Sequence, residues 1–170
     1  MNSLENIYIR NIIFILPSWI ANASPLIIAK IIHKRHPIDF NKNFIDGRRF
    51  FGKNKSIEGF IFGVICGTIT GIFLESLNLH TIYGASILSF GALLGDLFGS
   101  FIKRRLRMKS GDPFPIIDQL MFLLIALALY SIIIKPVTLF SLIFLSISTL
   151  ILHIITNFIA YKINLKTHPW

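Results

Sequence analysis

The chain consists mainly of long, nearly unbroken runs of apolar residues separated by short polar segments. A soluble domain would alternate apolar with polar faces, and these runs do not. A hydrocarbon core about 30 Å thick is crossed by roughly 20 mainly apolar residues in a helix. The pattern predicts five transmembrane helices, near residues 7–32, 57–77, 79–102, 115–134 and 137–161.

Composition agrees with a location in a membrane. Hydrophobic residues make up 54% of the 170 residues and charged residues only 15%, whereas a soluble domain carries about 25% charged residues. The first run lacks the basic start and small-residue cleavage site of a signal peptide, so we expect it to be retained. Cys66 is the single cysteine, which excludes a disulfide framework within the chain. The sequence predicts an all-α integral membrane protein, with residues 1–170 forming a single membrane domain.

Positive charge is concentrated in two connecting segments, the loops 33–56 and 103–114. The connections SLNLH and IKPV on the other side carry only Lys135. Because basic loops are retained in the cytoplasm, we expect a multi-pass protein of the cell membrane with both basic loops inside. The N-terminus is then outside, and the C-terminus, with Lys162 and Lys166, is inside. Topology or contact with anionic lipid is a sufficient explanation for Lys34 and Arg35.

Glycine recurs every four residues in the second and third runs, at Gly59, Gly63, Gly67 and Gly71 and at Gly91, Gly95 and Gly99. Small residues at this spacing let helix backbones approach closely in lipid. We therefore expect these two helices to pack tightly. Pro17 and Pro25 interrupt the first run, where each frees a backbone carbonyl, and they predict a kink that faces the bundle interior.

The segment GDLFGSFIKRRLRMKSGDPFPIIDQL, residues 95–120, contains many charges at the end of an apolar run. If the helix continues, one of its faces carries Asp96, Ser100, Lys103 and Arg107. An acid inside an apolar run is costly, so Asp96 is a candidate functional residue. The alternative is a structural ion pair between Asp96 and a nearby base such as Lys103.

Two further acids follow the basic run. Asp112 in SGDPFP is most simply a turn or N-cap residue. Asp118 lies in the predicted first turn of the fourth helix, where a turn does not explain it. Asp96 and Asp118, at the inner ends of adjacent spans and facing basic side chains, suit a Mg²⁺ site completed by phosphate oxygens.

The first basic loop is expected to supply the other half of the pocket. Its side chains include Arg48 and Arg49, and arginine binds phosphate oxygens through paired hydrogen bonds. Acids, a divalent metal and many bases at a membrane edge suit a polyphosphate that meets a lipid phosphate. The chain contains no Walker or dinucleotide glycine motif and no Ser-His-Asp arrangement. We expect the basic residues to contact these phosphates and the lipid bilayer, and we expect no nucleic acid partner.

The 95–120 segment resembles the signature of the phosphatidate cytidylyltransferase superfamily, which combines Gly-Asp, Ser-x-x-Lys-Arg, a later Lys and Pro-x-x-Asp. The matching positions are Gly95, Asp96, Ser100, Lys103, Arg104, Lys109, Pro115 and Asp118. In the first loop, KNKSIEGF resembles a second element of the superfamily, at Lys55, Ser56, Glu58 and Gly59. The small size, PSWIANASP and PIDFNKNFIDGRRFFG are similar to the archaeal branch, the CDP-archaeol synthases, over nearly the whole chain.

The resemblance implies that CTP and the isoprenoid ether-lipid phosphate 2,3-bis-O-geranylgeranylglycerol 1-phosphate give a CDP-activated lipid and pyrophosphate, with Mg²⁺. It implies catalytic roles for Asp96, Lys103 and Asp118, of which the two aspartates bind the metal. It implies CTP or phosphate binding by Arg48, Arg49, Lys55, Ser56, Ser100, Arg104 and Lys109. The superfamily usually has another acid three residues after the last aspartate, where this chain has Met121. Glu58 or Asp112 is a candidate replacement.

Two other functions compete with this one. A CDP-alcohol phosphatidyltransferase would show an Asp-Gly-x-x-Ala-Arg pattern, of which IDGRRFF has only the first two residues. A non-enzymatic anionic-lipid-binding scaffold or small transporter subunit would explain the basic loops and the glycine stripes. It gives Asp96 and Asp118 no role.

Overall fold

The computed structural model describes residues 3–114 and 116–164. Over these residues the chain forms five α-helices and no β-strand. The helices are α1 (Ser3–Ile31), α2 (Ile57–Ser76), α3 (Ile82–Arg105), α4 (Ile117–Ile133) and α5 (Leu139–Lys162). The all-α fold class predicted from the sequence is confirmed. Pro115 and Lys166, which the sequence assigned to the signature and to the C-terminal charge, lie outside the described residues.

Among the described helices, four are long and apolar enough to cross a membrane, and they correspond to Ile7–Ile31, Ile57–Ser76, Ile82–Arg105 and Leu139–Lys162. Helix α4 has 17 residues, or about 25 Å at the rise of an α-helix, and is therefore shorter than a hydrocarbon core. Helix α3 begins at Ile82 because the Thr81 side chain accepts a hydrogen bond from the Gly84 N–H. It continues through Arg105, so the start of the segment 103–114 is helical.

The core lies between α1, α3, α4 and α5. Ile15, Leu88, Leu123 and Leu145 contribute one fully buried side chain from each of these helices. Many large apolar side chains on the outer surface are exposed instead, including Ile65 on α2. Exposed isoleucine, leucine and phenylalanine are costly in water but favourable against lipid tails, so this surface suits a bundle immersed in a bilayer.

The glycine stripe of α2 lies against α1 and α3. A methyl group placed on Gly63 would lie 2.7 Å from the Ala21 carbonyl oxygen and 2.8 Å from a Leu93 methyl. Gly71 faces Ala85 of α3 in the same way. The prediction that α2 and α3 pack tightly is confirmed, and the small residues allow it.

The glycines of α3 face a different neighbour, α4. A methyl group on Gly95 would lie 2.5 Å from both the Met121 carbonyl oxygen and the Phe122 Cα. This close approach places the C-terminal half of α3, which carries Asp96, against the first turns of α4, which carry Asp118.

Pro17 and Pro25 lie inside α1, which continues past both. The polar side chains near them bond to backbone carbonyls in the interior. Ser18 Oγ donates to the Leu88 carbonyl at 3.0 Å, and Ser24 Oγ donates to the Ile20 carbonyl at 2.6 Å. These serines tie α1 to itself and to α3.

We expect Gly95→Ala to separate α3 from α4, because the new methyl group meets backbone atoms that cannot rotate away. Overpacking of this kind costs about 1–3 kcal/mol, which should lower the thermal unfolding midpoint in detergent and reduce activity. Gly99→Ala is a matched control on the same helix, since its nearest contact would be an ordinary 3.5 Å. Equal midpoints for the two variants would contradict the close approach.

Candidate active site

The loop between α1 and α2 is organised around the buried carboxylate of Asp39, whose side chain is 0% exposed. Both guanidinium nitrogens that face it on Arg49, Nε and Nη2, donate hydrogen bonds to it. Three backbone N–H groups also donate to it, at 3.1–3.2 Å, from Asn41, Phe51 and Gly52. These bonds fold the loop back on itself and fix the backbone beside Arg49 and Gly52.

The environment of Asp39 favours its charged form. Burial alone would raise the pKa of this carboxyl group. The hydrogen bonds from Arg49 and from the backbone N–H groups of Gly52, Phe51 and Asn41 outweigh burial and lower the pKa below its usual 3.8. At neutral pH Asp39 is therefore an anion that binds the loop together.

Arg105, at the end of α3, attaches the same loop to the helical bundle. Its Nη2 donates to the Arg49 carbonyl at 2.7 Å, and its Nη1 donates to Asp46 at 2.8 Å. In return Arg48 Nη1 donates to the Arg105 carbonyl at 2.9 Å. The Arg105 guanidinium also lies over two aromatic rings, at 4.9 Å from the centroid of Phe44 and 4.8 Å from that of Phe101.

The loop and the end of α3 together enclose a cavity of about 500 Å³. Its lining contains five cationic side chains and, within the part of the chain that the structure describes, no acid. The cations are Arg48, Arg49, Lys53, Arg104 and Arg107. A concave surface with this charge attracts a polyanion, and arginine matches phosphate oxygens in particular.

Arg104 is the most constrained of these cations, being 9% exposed. Its Nη2 donates to the Lys109 carbonyl at 2.9 Å, while its buried Nε has no hydrogen-bond partner in the described residues. A methyl group on Gly52 would lie 3.2 Å from Arg104 Nη1. The loop backbone and the helix end therefore meet at this guanidinium.

Asp96 and Asp118 each pair with a lysine. Lys55 Nζ, from the first loop, lies 2.7 and 2.6 Å from the two oxygens of Asp96. Lys103 Nζ lies 3.0 and 2.8 Å from those of Asp118, which also accepts the Phe114 N–H at 2.9 Å. The pairing of Asp96 with Lys103 weighed from the sequence is not the one formed, because the loop brings Lys55 to Asp96 instead.

The remaining predicted residues have local roles. Ser56 caps α2 by accepting the Gly59 N–H at 3.2 Å, and Glu58 accepts the His36 N–H at 3.0 Å. Asp112 accepts the Lys109 N–H at 2.7 Å in a turn, as expected. Ser100 is half-buried and lies one helical turn after Asp96, and Lys109 is exposed. Met121 packs against Gly99.

The number and the partners of the carboxylates in this region determine what kind of metal ion they could bind. No cluster of three or more potential protein ligands exists among residues 3–114 and 116–164. Glu58 pairs with His36, and Asp112 accepts the Lys109 N–H, so either would have to leave that partner to replace the acid that is absent at Met121. Mg²⁺ is commonly held by one or two carboxylates with substrate phosphates and water. Asp96 and Asp118 fit a metal of that kind, one that arrives with a phosphate ligand.

Sequence reasoning placed Lys53 in the loop that supplies half of the pocket, but it assigned no site role to Asp39 or Arg105. These two residues organise the loop through contacts with residues ten or more positions away, which spacing along the chain does not reveal. One signal was present for Asp39: an aspartate in a loop often accepts the backbone N–H two residues further on, as Asp39 does from Asn41.

A cation-lined cavity and two carboxylate–lysine pairs, at one end of an apolar helical bundle, define a multi-pass membrane protein with a site suited to anions. Comparison with known proteins narrows this class. Residues 4–170 match the sequence model of the CarS-like family, CDP-archaeol synthase. The chain belongs to the CDP-archaeol synthase family.

Individual relatives support this assignment. The chain is 46% identical to the CDP-archaeol synthase of Pyrobaculum islandicum, with 93% of this chain and 96% of that protein covered. It is 40% identical to that of Methanocaldococcus jannaschii, with 92% and 94% covered. A solved structure described as an intramembrane enzyme for archaeal membrane lipid biosynthesis has a TM-score of 0.77 and 36% identity, covering 92% of this chain and 94% of its own.

We expect Asp39→Asn to loosen the loop, because hydrogen bonds to a charged group contribute about 1.5–3 kcal/mol each. The lowered pKa means that this contribution is present above about pH 3.8 and is lost as pH falls through the value in the folded protein. Thermal unfolding of both proteins between pH 7 and pH 3 should show a gap that narrows on acidification.

Asp46→Asn is the control for this comparison, since Asp46 is 31% exposed and its pair with Arg105 is worth less. A gap between wild type and Asp39→Asn that is constant over the whole pH range would show that the Asp39 charge does not stabilise the loop.

Proposed function

We propose that this protein is a CTP-dependent cytidylyltransferase of archaeal lipid synthesis. It converts 2,3-bis-O-geranylgeranylglycerol 1-phosphate to the CDP-activated lipid and releases pyrophosphate. The observation that carries this proposal is the cavity lined by five cations, at the end of the bundle that also carries Asp118, in a chain of the CDP-archaeol synthase family.

The cavity is proposed to bind the triphosphate of CTP. Its lining arginines offer forked donors to the phosphate oxygens, and Arg104 Nε is a buried donor without a partner in the described residues. Asp39 and Arg105 do not touch the nucleotide in this proposal. They position Arg48 and Arg49, whose carbonyls and side chains they hold.

The reaction needs no general base. The lipid phosphate is already an anion, and one of its oxygens attacks the α-phosphorus of CTP. A new P–O bond forms, the bond between the α-phosphorus and the bridging oxygen breaks, and pyrophosphate leaves with the electron pair. The residues contribute by neutralising charge and aligning the two phosphates, which are the main requirements of such transfers.

Mg²⁺ is proposed to be held by Asp96 and Asp118, and when bound it supplies charge neutralisation to the phosphates. Each aspartate is occupied by a lysine at hydrogen-bond distance, so Lys55 and Lys103 compete with the metal. When a triphosphate is present, each lysine ammonium group can leave its aspartate and pair with a phosphate oxygen instead. The metal is therefore expected to bind well only together with the nucleotide.

The membrane arrangement follows from the charges. The cavity and both basic loops are proposed to face the cytoplasm, where CTP is found, with the N-terminus outside the cell membrane. The isoprenoid chains of the lipid remain in the bilayer beside the apolar helices while the phosphate reaches the charged end of the bundle.

Pyrophosphate release by the purified protein in detergent tests the proposed reaction. We expect release with CTP and Mg²⁺ only when the archaeal lipid phosphate is present, and little with ATP. Asp118→Asn should abolish release while leaving expression and membrane insertion near normal, whereas Asp112→Asn, a turn residue, is the matched control. Absence of release from correctly folded wild-type protein would favour the lipid-binding scaffold.

The competition between lysine and metal has its own readout. We expect Mn²⁺, followed by electron paramagnetic resonance, to bind weakly without nucleotide and more tightly when CTP is added. Lys103→Gln should raise the nucleotide-free affinity because it frees Asp118, while Lys53→Gln, which lines the cavity without touching either aspartate, should not. Equal nucleotide-free affinities for wild type and Lys103→Gln would contradict the competition.

A further inference from the structure

A second cavity, of about 220 Å³, lies at the opposite end of the bundle from the cation-lined cavity. It is formed by the first turns of α1, the end of α4 and the start of α5. Its lining residues include Arg10, Asn11, Tyr130, Lys135, Thr138 and Ser141. Neither the family resemblance nor the proposed reaction assigns a role to these residues.

Two cations line this small space without compensation. Among the described residues, the side chains of Arg10 and Lys135 have no ion pair or hydrogen bond, and no acid lines the cavity. Positive charge is disfavoured on the outer side of a membrane protein, so topology does not account for this pair.

Arg10 lies in the first turn of the candidate membrane span Ile7–Ile31 and is exposed, and its neighbours Ile7 and Ile9 are exposed large hydrophobic residues. An arginine inside a membrane span is costly unless a partner or water compensates it. An anion in the adjacent cavity would supply that partner.

The cavity also offers neutral hydrogen-bonding groups. Thr138 is the N-cap of α5, where the helix dipole adds positive potential. The Thr138 and Ser141 hydroxyl groups lie 2.9 Å apart, and the buried Asn11 amide donates to the Ile7 carbonyl. Cations and hydroxyl groups together suit the several oxygens of a phosphate group. They suit the two oxygens of a carboxylate on a protein partner less well.

The surroundings place this cavity at lipid head-group level. Tyr8 lies against two rings of α5, at 5.8 Å from Phe140 and 5.1 Å from Phe144 between centroids. Clusters of aromatic residues near helix ends are typical of the membrane–water interface. A phosphate reaching this depth would most simply be carried by a lipid whose chains lie along the exposed apolar surface.

We propose that this cavity binds the phosphate group of an anionic membrane lipid on the side of the bilayer opposite the candidate active site. A volume of about 220 Å³ accommodates the phosphate and its ester linkage but not acyl or isoprenoid chains. Such a lipid would cross-link α1, α4 and α5 and stabilise the bundle. The proposal does not depend on the reaction assigned to the other cavity.

Thermal unfolding of the purified protein in neutral detergent tests this. The probes are short-chain phosphatidylglycerol, short-chain phosphatidylcholine and inorganic phosphate. Phosphatidylglycerol is a phosphodiester and lacks the free phosphate that acts as nucleophile in the proposed reaction. We expect it to raise the wild-type midpoint by about 4 °C at saturation, and phosphatidylcholine to raise it much less.

The double variant Arg10→Gln/Lys135→Gln should lose this increment. Lys42→Gln removes a charge from an exposed side chain at the other end and should retain it. Arg10→Lys/Lys135→Arg keeps both charges and should retain most of it, which separates charge from simple misfolding. A full increment in the Gln/Gln variant, or none in wild type, would overturn the proposal.

Inorganic phosphate distinguishes the source of the ligand. The cation-lined cavity can also bind inorganic phosphate, so only the difference between the wild-type and Gln/Gln increments is assigned to this site. If wild type shows the larger phosphate increment, the site binds phosphate and a soluble anion suffices. If the two phosphate increments are equal and only the lipid distinguishes wild type from the variant, the head group needs its chains at the adjacent apolar surface. If neither phosphate nor the lipid distinguishes the two proteins, the proposal is overturned.

Discussion

The cation-lined cavity depends on one buried carboxylate. Five like charges repel one another, and a long basic loop would otherwise extend into solvent. Asp39 opposes this by accepting five hydrogen bonds from the loop itself, two of them from Arg49. Burial strengthens these hydrogen bonds, and the bonds outweigh the cost of burial and keep the carboxylate charged. The backbone near Gly52 is thereby set against Arg104, and the cavity acquires its wall.

Arg105 completes this arrangement from the helix side. It belongs to the same basic run as Lys103 and Arg104, yet its guanidinium lies between aromatic rings and loop carbonyls. Adjacent arginines in one helical turn therefore have different tasks: Arg104 lines the cavity, and Arg105 holds the loop that closes it. The difference arises because successive residues on a helix point in directions about 100° apart.

The two carboxylate–lysine pairs suggest how the site tolerates its own charge before substrates bind. An uncompensated acid near the hydrocarbon core is costly, and so is an uncompensated lysine. Pairing Lys55 with Asp96 and Lys103 with Asp118 compensates all four groups. A polyphosphate and a divalent metal carry the complementary charges, so both pairs can be exchanged without leaving any group alone. This exchange also fits a site that needs no third acid at Met121.

The sequence by itself determined the all-α membrane fold, because long apolar runs in lipid can satisfy their backbone only as helices. It also singled out Asp96, Asp118 and the basic residues of the two loops, since charges beside apolar runs are rare. It did not determine the pairing of Asp96 with Lys55, the task of Asp39, or the separate tasks of Arg104 and Arg105. These depend on distances between residues far apart in the chain, which the close approach of α3 to α4 at Gly95 and the fold of the first loop decide.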